Sequence, residues 1–175
     1  MRVLSALSAL ATAALVFAQS APVVIDNLKT IQRKSDEVNT VAQSTNFANA
    51  LYKNPQISAG LNDITTTIYQ YISQQDNPPP VFGDADATAI VSALKNTAST
   101  QKQLLNTLIG KQGIFRALGG SFQTEPIRVT LSELEKAVDA FGFGLVNMIP
   151  TQAPIAQQEL ASLHNSFDSA VQAYS

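Results

Sequence analysis

Asp84-Ala85-Asp86-Ala87-Thr88-Ala89-Ile90-Val91-Ser92-Ala93-Leu94-Lys95-Asn96-Thr97-Ala98-Ser99-Thr100-Gln101-Lys102-Gln103-Leu104-Leu105-Asn106-Thr107-Leu108-Ile109 is the stretch that decides the fold. Apolar residues fall at Ala87, Ile90, Val91, Leu94, Ala98, Leu104, Leu105 and Leu108. Steps of three and four are the helical period. Gln101 stands in the stripe where an apolar residue would continue it. Asn77-Pro78-Pro79-Pro80 and Gly83 precede the stretch, Asp84 suits the N-cap, and Asp86 suits the positive helix end. A helix from Ala85 to Ile109 is about 37 Å long at a rise of about 1.5 Å per residue, enough for one wall of a domain. Gly110 and Gly113 weaken it before the apolar pair Ile114-Phe115.

The flanking segments carry the same period. Ile25, Leu28, Ile31, Ser35, Val38, Val41 and Ala42 form one stripe after Pro22, with Lys29, Arg33, Lys34, Asp36 and Glu37 on the other side. Phe47, Ala48, Leu51 and Tyr52 predict a separate helical turn closed by Asn54-Pro55. Ile57, Leu61, Ile64, Ile68, Tyr71 and Ile72 mark a second helix despite the β-prone Thr65-Thr66-Thr67. Gln74 to Pro80 reads as a linker. Gly119-Gly120 ends the element after the opening stretch. Thr124 to Arg128, holding Pro126, predicts a loop, and Thr130-Leu131-Ser132-Glu133 a capping box. Leu131, Leu134, Val138, Phe141, Leu145 and Met148 follow, and Pro150 stops that stripe. Pro154 opens a last helix carrying Ala156, Leu160, Leu163, Phe167, Val171 and Tyr174. No segment alternates with the period of a strand. The expected fold is all-α, a single bundle of about five amphipathic helices.

Met1 to Ala18 has the form of a secretory signal peptide: Arg2, an apolar run from Leu4 to Phe17, and small residues at Val16 and Ala18 before Gln19. The run is short and poor in large residues for a transmembrane segment. The bundle domain is therefore expected over residues 19–175, secreted to the extracellular side. A formal net charge of −2 without a basic patch argues against nucleic acid. The chain has no cysteine, so a secreted fold must rest on packing alone. No Asn-x-Ser/Thr sequon occurs, and the C-terminal residues show no hydrophobic tail for a lipid anchor.

Catalytic chemistry is poorly represented. His164 is the single histidine, and its place beside Leu163 reads as the edge of an apolar stripe rather than a catalytic base. Asp84 and Asp86 lack a calcium-type loop. Glu133 with Glu135, and Asp36 with Glu37, point apart on their helices. No phosphate-cradling glycine loop is present. No catalytic residue, metal site or cofactor is expected. Five broad apolar stripes can instead fill their own core or enclose an apolar ligand between helices. Polar residues within the stripes, Ser35 and Gln101, would then meet a head group, with Tyr71 as a further hydroxyl. Ordinarily such residues sit at stripe edges and bond locally. The expected walls are Ile64, Ile68, Leu94, Leu105, Leu108, Phe141, Leu145 and Leu163, large residues central in their helices.

Leu108-Ile109-Gly110-Lys111-Gln112-Gly113-Ile114-Phe115, then Leu134, Ala137-Val138-Asp139-Ala140 and Ile149-Pro150, together with Val24-Ile25-Asp26-Asn27-Leu28, carry a resemblance. The chain resembles the fungal hydrophobic surface-binding protein A family, which also includes cell-wall galactomannoproteins. Gln112 stands where the family has a second lysine, and the Ser/Thr-rich tail of wall-anchored members is missing. The resemblance implies a secreted helical domain without catalytic residues, free or associated with the cell wall. It implies either a fatty acid or similar lipid held in a bundle cavity, or adsorption to a hydrophobic surface with recruitment of a secreted hydrolase.

Overall fold

Pro22, in the first turn of a helix where its missing N–H costs nothing, opens the first element of the computed structural model, which describes residues 19–175. The predicted signal segment Met1–Ala18 lies outside them. The elements are α1 (Ala21–Gln43), α2 (Ala50–Ser73), α3 (Asp84–Gly119), α4 (Ser121–Met148), a 3-10 turn (Pro150–Gln152) and α5 (Ala153–Ala173). There is no strand among the described residues.

Side-chain ties fix the helix directions. Thr97 bonds to the Leu28 carbonyl and Lys111 to the Gln43 carbonyl, so α1 and α3 run the same way. Lys102 meets Glu159 and Leu108 meets Tyr174, which places α5 parallel to them. Asn54 near the start of α2 bonds to Gln123 near the start of α4, and Gln75 beyond the end of α2 lies against Gly144 of α4. These two helices run in the opposite sense. In cross-section the neighbours close a ring in the order α1, α2, α4, α5, α3 and back to α1. Apolar residues from all five helices fill the ring, among them Leu28, Ile57, Leu61, Ile64, Ile90, Leu104, Leu131 and Phe167.

Several boundaries differ from expectation, and burial explains them. α3 does not stop at Ile109. It continues through Gly110 and Gly113 to Gly119 because Phe115 is fully buried against Tyr174, with ring centroids 6.4 Å apart. Burying such a ring contributes about 1.5–3 kcal/mol, which offsets the roughly 1 kcal/mol that each of the two helical glycines costs. Gly120, at φ 55°, then breaks the chain in a conformation that glycine tolerates. Gly83, not Asp84, is the N-cap of α3.

Both expected proline breaks fall inside helices. Pro55 lies within α2 and Pro126 within α4, each in the second turn. Neither ring has an N–H for the carbonyl four residues back, so the Leu51 and Phe122 carbonyls lose a helical bond. The interlocking of Asn54 with Gln123, at 2.6 and 2.8 Å, holds the two starts together in compensation. Thr124 to Arg128 is helical, and Thr130 caps nothing. Its hydroxyl lies 3.0 Å from the Pro126 and Ile127 carbonyls within α4.

Burial pushes the Tyr174 phenol far up, so it stays a neutral donor, bonded at 2.8 Å to the Leu108 carbonyl. Tyr174→Phe should destabilise the bundle by about 1 kcal/mol. Thermal unfolding should show this as a fall of about 2–4 °C in melting temperature, with helical content unchanged at low temperature.

Candidate functional site

The ring of helices leaves a small apolar cavity between all five helices. It is lined by Leu28 and Ile31 of α1, Ile68 of α2, Leu94, Thr97, Ala98 and Gln101 of α3, Val138 and Phe141 of α4, and Leu160 and Leu163 of α5. Every helix contributes because each turns its stripe to the same axis. The volume is about 20 Å³. Pockets that hold a small-molecule ligand usually run to roughly 300–1,000 Å³, so an occupant of that size requires the helices to part.

Of the walls expected from sequence, Ile68, Leu94, Phe141 and Leu163 line this cavity. Ile64, Leu105, Leu108 and Leu145 are buried elsewhere in the core and do not line it. The two expected polar contacts separate sharply. Ser35 is buried, and its hydroxyl donates to the Ile31 carbonyl at 2.9 Å, a bond within its own helix. Gln101 is 2 % exposed, lines the cavity, and its Nε2 has no hydrogen-bond partner. Gln19 Oε1, Asn39 Oδ1 and Gln112 Nε2 are also buried and unpartnered, but none of those residues lines the cavity. Tyr71 is only partly buried.

Sequence reasoning missed Leu28, Ile31, Thr97, Ala98, Val138 and Leu160 as lining residues. All but Thr97 were read within apolar stripes. The signal for Thr97 was its position four residues before Gln101, on the same helix face. Its hydroxyl lies 3.0 Å from the Leu28 and Ala93 carbonyls, so it ties α3 to α1 beside the cavity.

Outside the cavity wall, α4 and α5 are joined by a charged group. His164 Nδ1 lies 3.1 Å from Asp139 and 3.4 Å from Glu135, and its Nε2 lies 3.7 Å from Asp168. Glu135 with Asp139, and His164 with Asp168, are pairs four residues apart on facing helices. Ligand atoms of Glu135, His164 and Asp168 all fall within 4.8 Å of one another, a spacing that a divalent ion can span. The contacts of the imidazole with the three carboxylates account for the arrangement without one. Burial, then the Asp168 charge, raises Glu135 above its ordinary range, and His164 opposes the shift. Lys111, in the motif that carried the family resemblance, donates to the Gln43 and Thr45 carbonyls at 3.0 and 2.7 Å and so satisfies the C-terminal end of α1.

A sequence-family model described as hydrophobic surface binding protein A matches residues 21–147. The chain belongs to the hydrophobic surface binding protein A family. No curated protein matches it by sequence. Among solved structures it is similar to Afmp4p in complex with palmitic acid, at 16 % identity and a TM-score of 0.69, over 89 % of this chain and 100 % of that one. It is also similar to ligand binding domain 1 of the Penicillium marneffei MP1 protein complexed with arachidonic acids, at 16 % identity and a TM-score of 0.67, over 89 % and 99 % of the two chains. At that identity the likeness is one of fold. No helix of the described residues is long and apolar enough to cross a membrane.

Because folding raises Glu135, the folded chain takes up that proton more readily than the unfolded one. The stability this group contributes is present below its ordinary value of about 4.5 and is lost as the pH rises through its higher folded value. Glu135→Gln should therefore melt higher than the parent at about pH 7, with the gap closing toward about pH 4. Paired thermal melts across that range measure it.

Proposed function

We propose that this protein is a secreted, non-enzymatic lipid carrier that holds a fatty acid in the apolar axis of the bundle, its carboxyl group against Gln101. The observation that carries this reading is the unpartnered Nε2 of Gln101 in an apolar cavity contributed by all five helices. An unsatisfied buried donor costs about 1–3 kcal/mol, and a carboxyl oxygen placed there would offset it. The remaining lining supplies affinity without direction, about 0.8 kcal/mol per buried methylene. A dozen methylenes amount to roughly 10 kcal/mol before the cost of parting the helices, compatible with micromolar binding. The fatty acids held by Afmp4p and by the MP1 domain support the same ligand class for this fold. For the absence of catalysis, the support is that the His164 ring is engaged by Glu135, Asp139 and Asp168. Among the described residues no hydroxyl nucleophile is hydrogen-bonded to it.

Titration with palmitate, followed by calorimetry and native mass spectrometry, tests the reading. Gln101→Leu should weaken binding by roughly tenfold or more while raising or holding the melting temperature, since it removes an unpaired polar group from the core. Ala98→Phe should occupy the cavity and abolish binding of long chains. Tight binding that survives both substitutions would overturn the assignment of the site.

Secretion is supported by the residues of the leader and by the family. Protein recovered from culture medium should have the intact mass of a chain beginning near Gln19. A secreted mass that retains Met1–Ala18 would defeat that part of the reading.

A further inference from the structure

The end of the bundle where α1 and α3 finish and α2 and α4 begin carries apolar side chains that the core does not use. Phe47, Leu51 and Tyr52 are each more than half exposed, and Phe122 is 89 % exposed. Leu118, beside the α3–α4 break, is exposed as well. Leu51 and Phe122 share an open groove of about 440 Å³ whose floor includes Pro55, Ala59 and Pro126. Soluble proteins scatter single exposed apolar residues but seldom gather them, and a gathered patch marks an interaction site.

The charge around the patch selects its partner. Residues 43–52 and 117–124 contain no Asp, Glu, Lys, Arg or His. The cations nearby are engaged: Lys111 by the Gln43 and Thr45 carbonyls, Arg116 by the Ser175 carbonyl, and Arg128 by Glu125. Lys53 adjoins the patch, but one lysine is not the basic cluster by which proteins dock on anionic lipid. Asn54, Ser58, Asn62 and Gln123 are the uncharged polar residues along the groove. A neutral, apolar, projecting surface matches a neutral hydrophobic phase, where electrostatic attraction contributes nothing.

We infer that this tip, built on Phe47, Leu51, Tyr52 and Phe122, is the face by which the protein adsorbs to an uncharged hydrophobic solid surface. The inference gives a location to the surface binding for which the family is named, and it does not depend on the interior cavity. Phe143 provides an internal control. It is 76 % exposed but lies toward the other end of α4, next to Gly144, which meets Gln75 beyond the far end of α2.

The test measures adsorption isotherms of the mature chain on octyl-agarose, and sedimentation with vesicles of phosphatidylcholine and phosphatidylglycerol. The parent is compared with the double variant Phe47→Ser/Phe122→Ser and with Phe143→Ser. The double variant should lose roughly tenfold or more in adsorption to octyl-agarose, and Phe143→Ser should stay close to the parent. Melting temperatures should match the parent, because the substituted side chains are exposed. Equal adsorption of the double variant and the parent, or an equal loss in Phe143→Ser, overturns the inference. Stronger binding to the anionic vesicles than to octyl-agarose overturns it too, in favour of a membrane. Palmitate titration of the same proteins separates the two proposals. A chain that ignores palmitate yet loses adsorption in the double variant defeats the cavity reading and upholds this one.

Discussion

Burial of α3 on more than one side is the constraint on which the rest of the bundle depends. A helix on the surface of a domain needs one apolar stripe, but α3 buries Leu94, Ala98 and Gln101 toward the axis, Val91 on one flank of that stripe, Ala93, Thr100 and Leu104 on the other, and Phe115 at its far end. Such a helix must be covered from several directions. α1 and α5 cover its flanks, α4 packs against it after the break at Gly120, and α2 closes the ring through α1 and α4. The other four helices are arranged by what α3 leaves uncovered. The axis of the ring is the one place where all five stripes meet, and there the packing is incomplete.

That incompleteness is small in volume and specific in chemistry. Thr97 spends its hydroxyl on holding α1 to α3, and Ser35 returns its own to the preceding turn. Gln101 does neither. The same helix face thus carries one polar residue that builds the frame and another that the frame leaves with an unused donor. An unpartnered donor on the wall of an apolar cavity is where specificity for a polar-headed apolar ligand can reside.

The helical period made the five-helix fold legible from sequence, and length in step with period placed most of the core. Boundaries were less legible where a local signal opposed a distant contact. Gly110 and Gly113 argue for a stop that the burial of Phe115 overrides. Pro55 and Pro126 argue for loops, yet each lies early enough in its helix to be carried by the turns that follow. For the candidate site, the stripe positions include Ile68, Leu94, Phe141 and Leu163, which line the cavity, but Ile64, Leu105, Leu108 and Leu145 are equally apolar and equally buried without lining it. Telling those apart requires the helix rotations, which only packing sets. Likewise, sequence could not separate Ser35 from Gln101. The short hydroxyl reaches its own backbone, whereas the longer amide extends beyond it.

The two helix-interior prolines have a mechanical consequence. Each removes the hydrogen bond that would otherwise clamp the first turn of its helix, at the Leu51 and Phe122 carbonyls. At the end of the molecule that carries the exposed aromatic residues, two helical turns are therefore each one backbone bond short, and the Asn54–Gln123 pair ties those turns to each other. Flattening Phe122 or Tyr52 against a rigid support strains a turn already short of one bond, rather than the frame that holds the axis closed. The missing bonds and the axial cavity thus lie at different levels along α2 and α4, and a deformation imposed at one need not travel to the other.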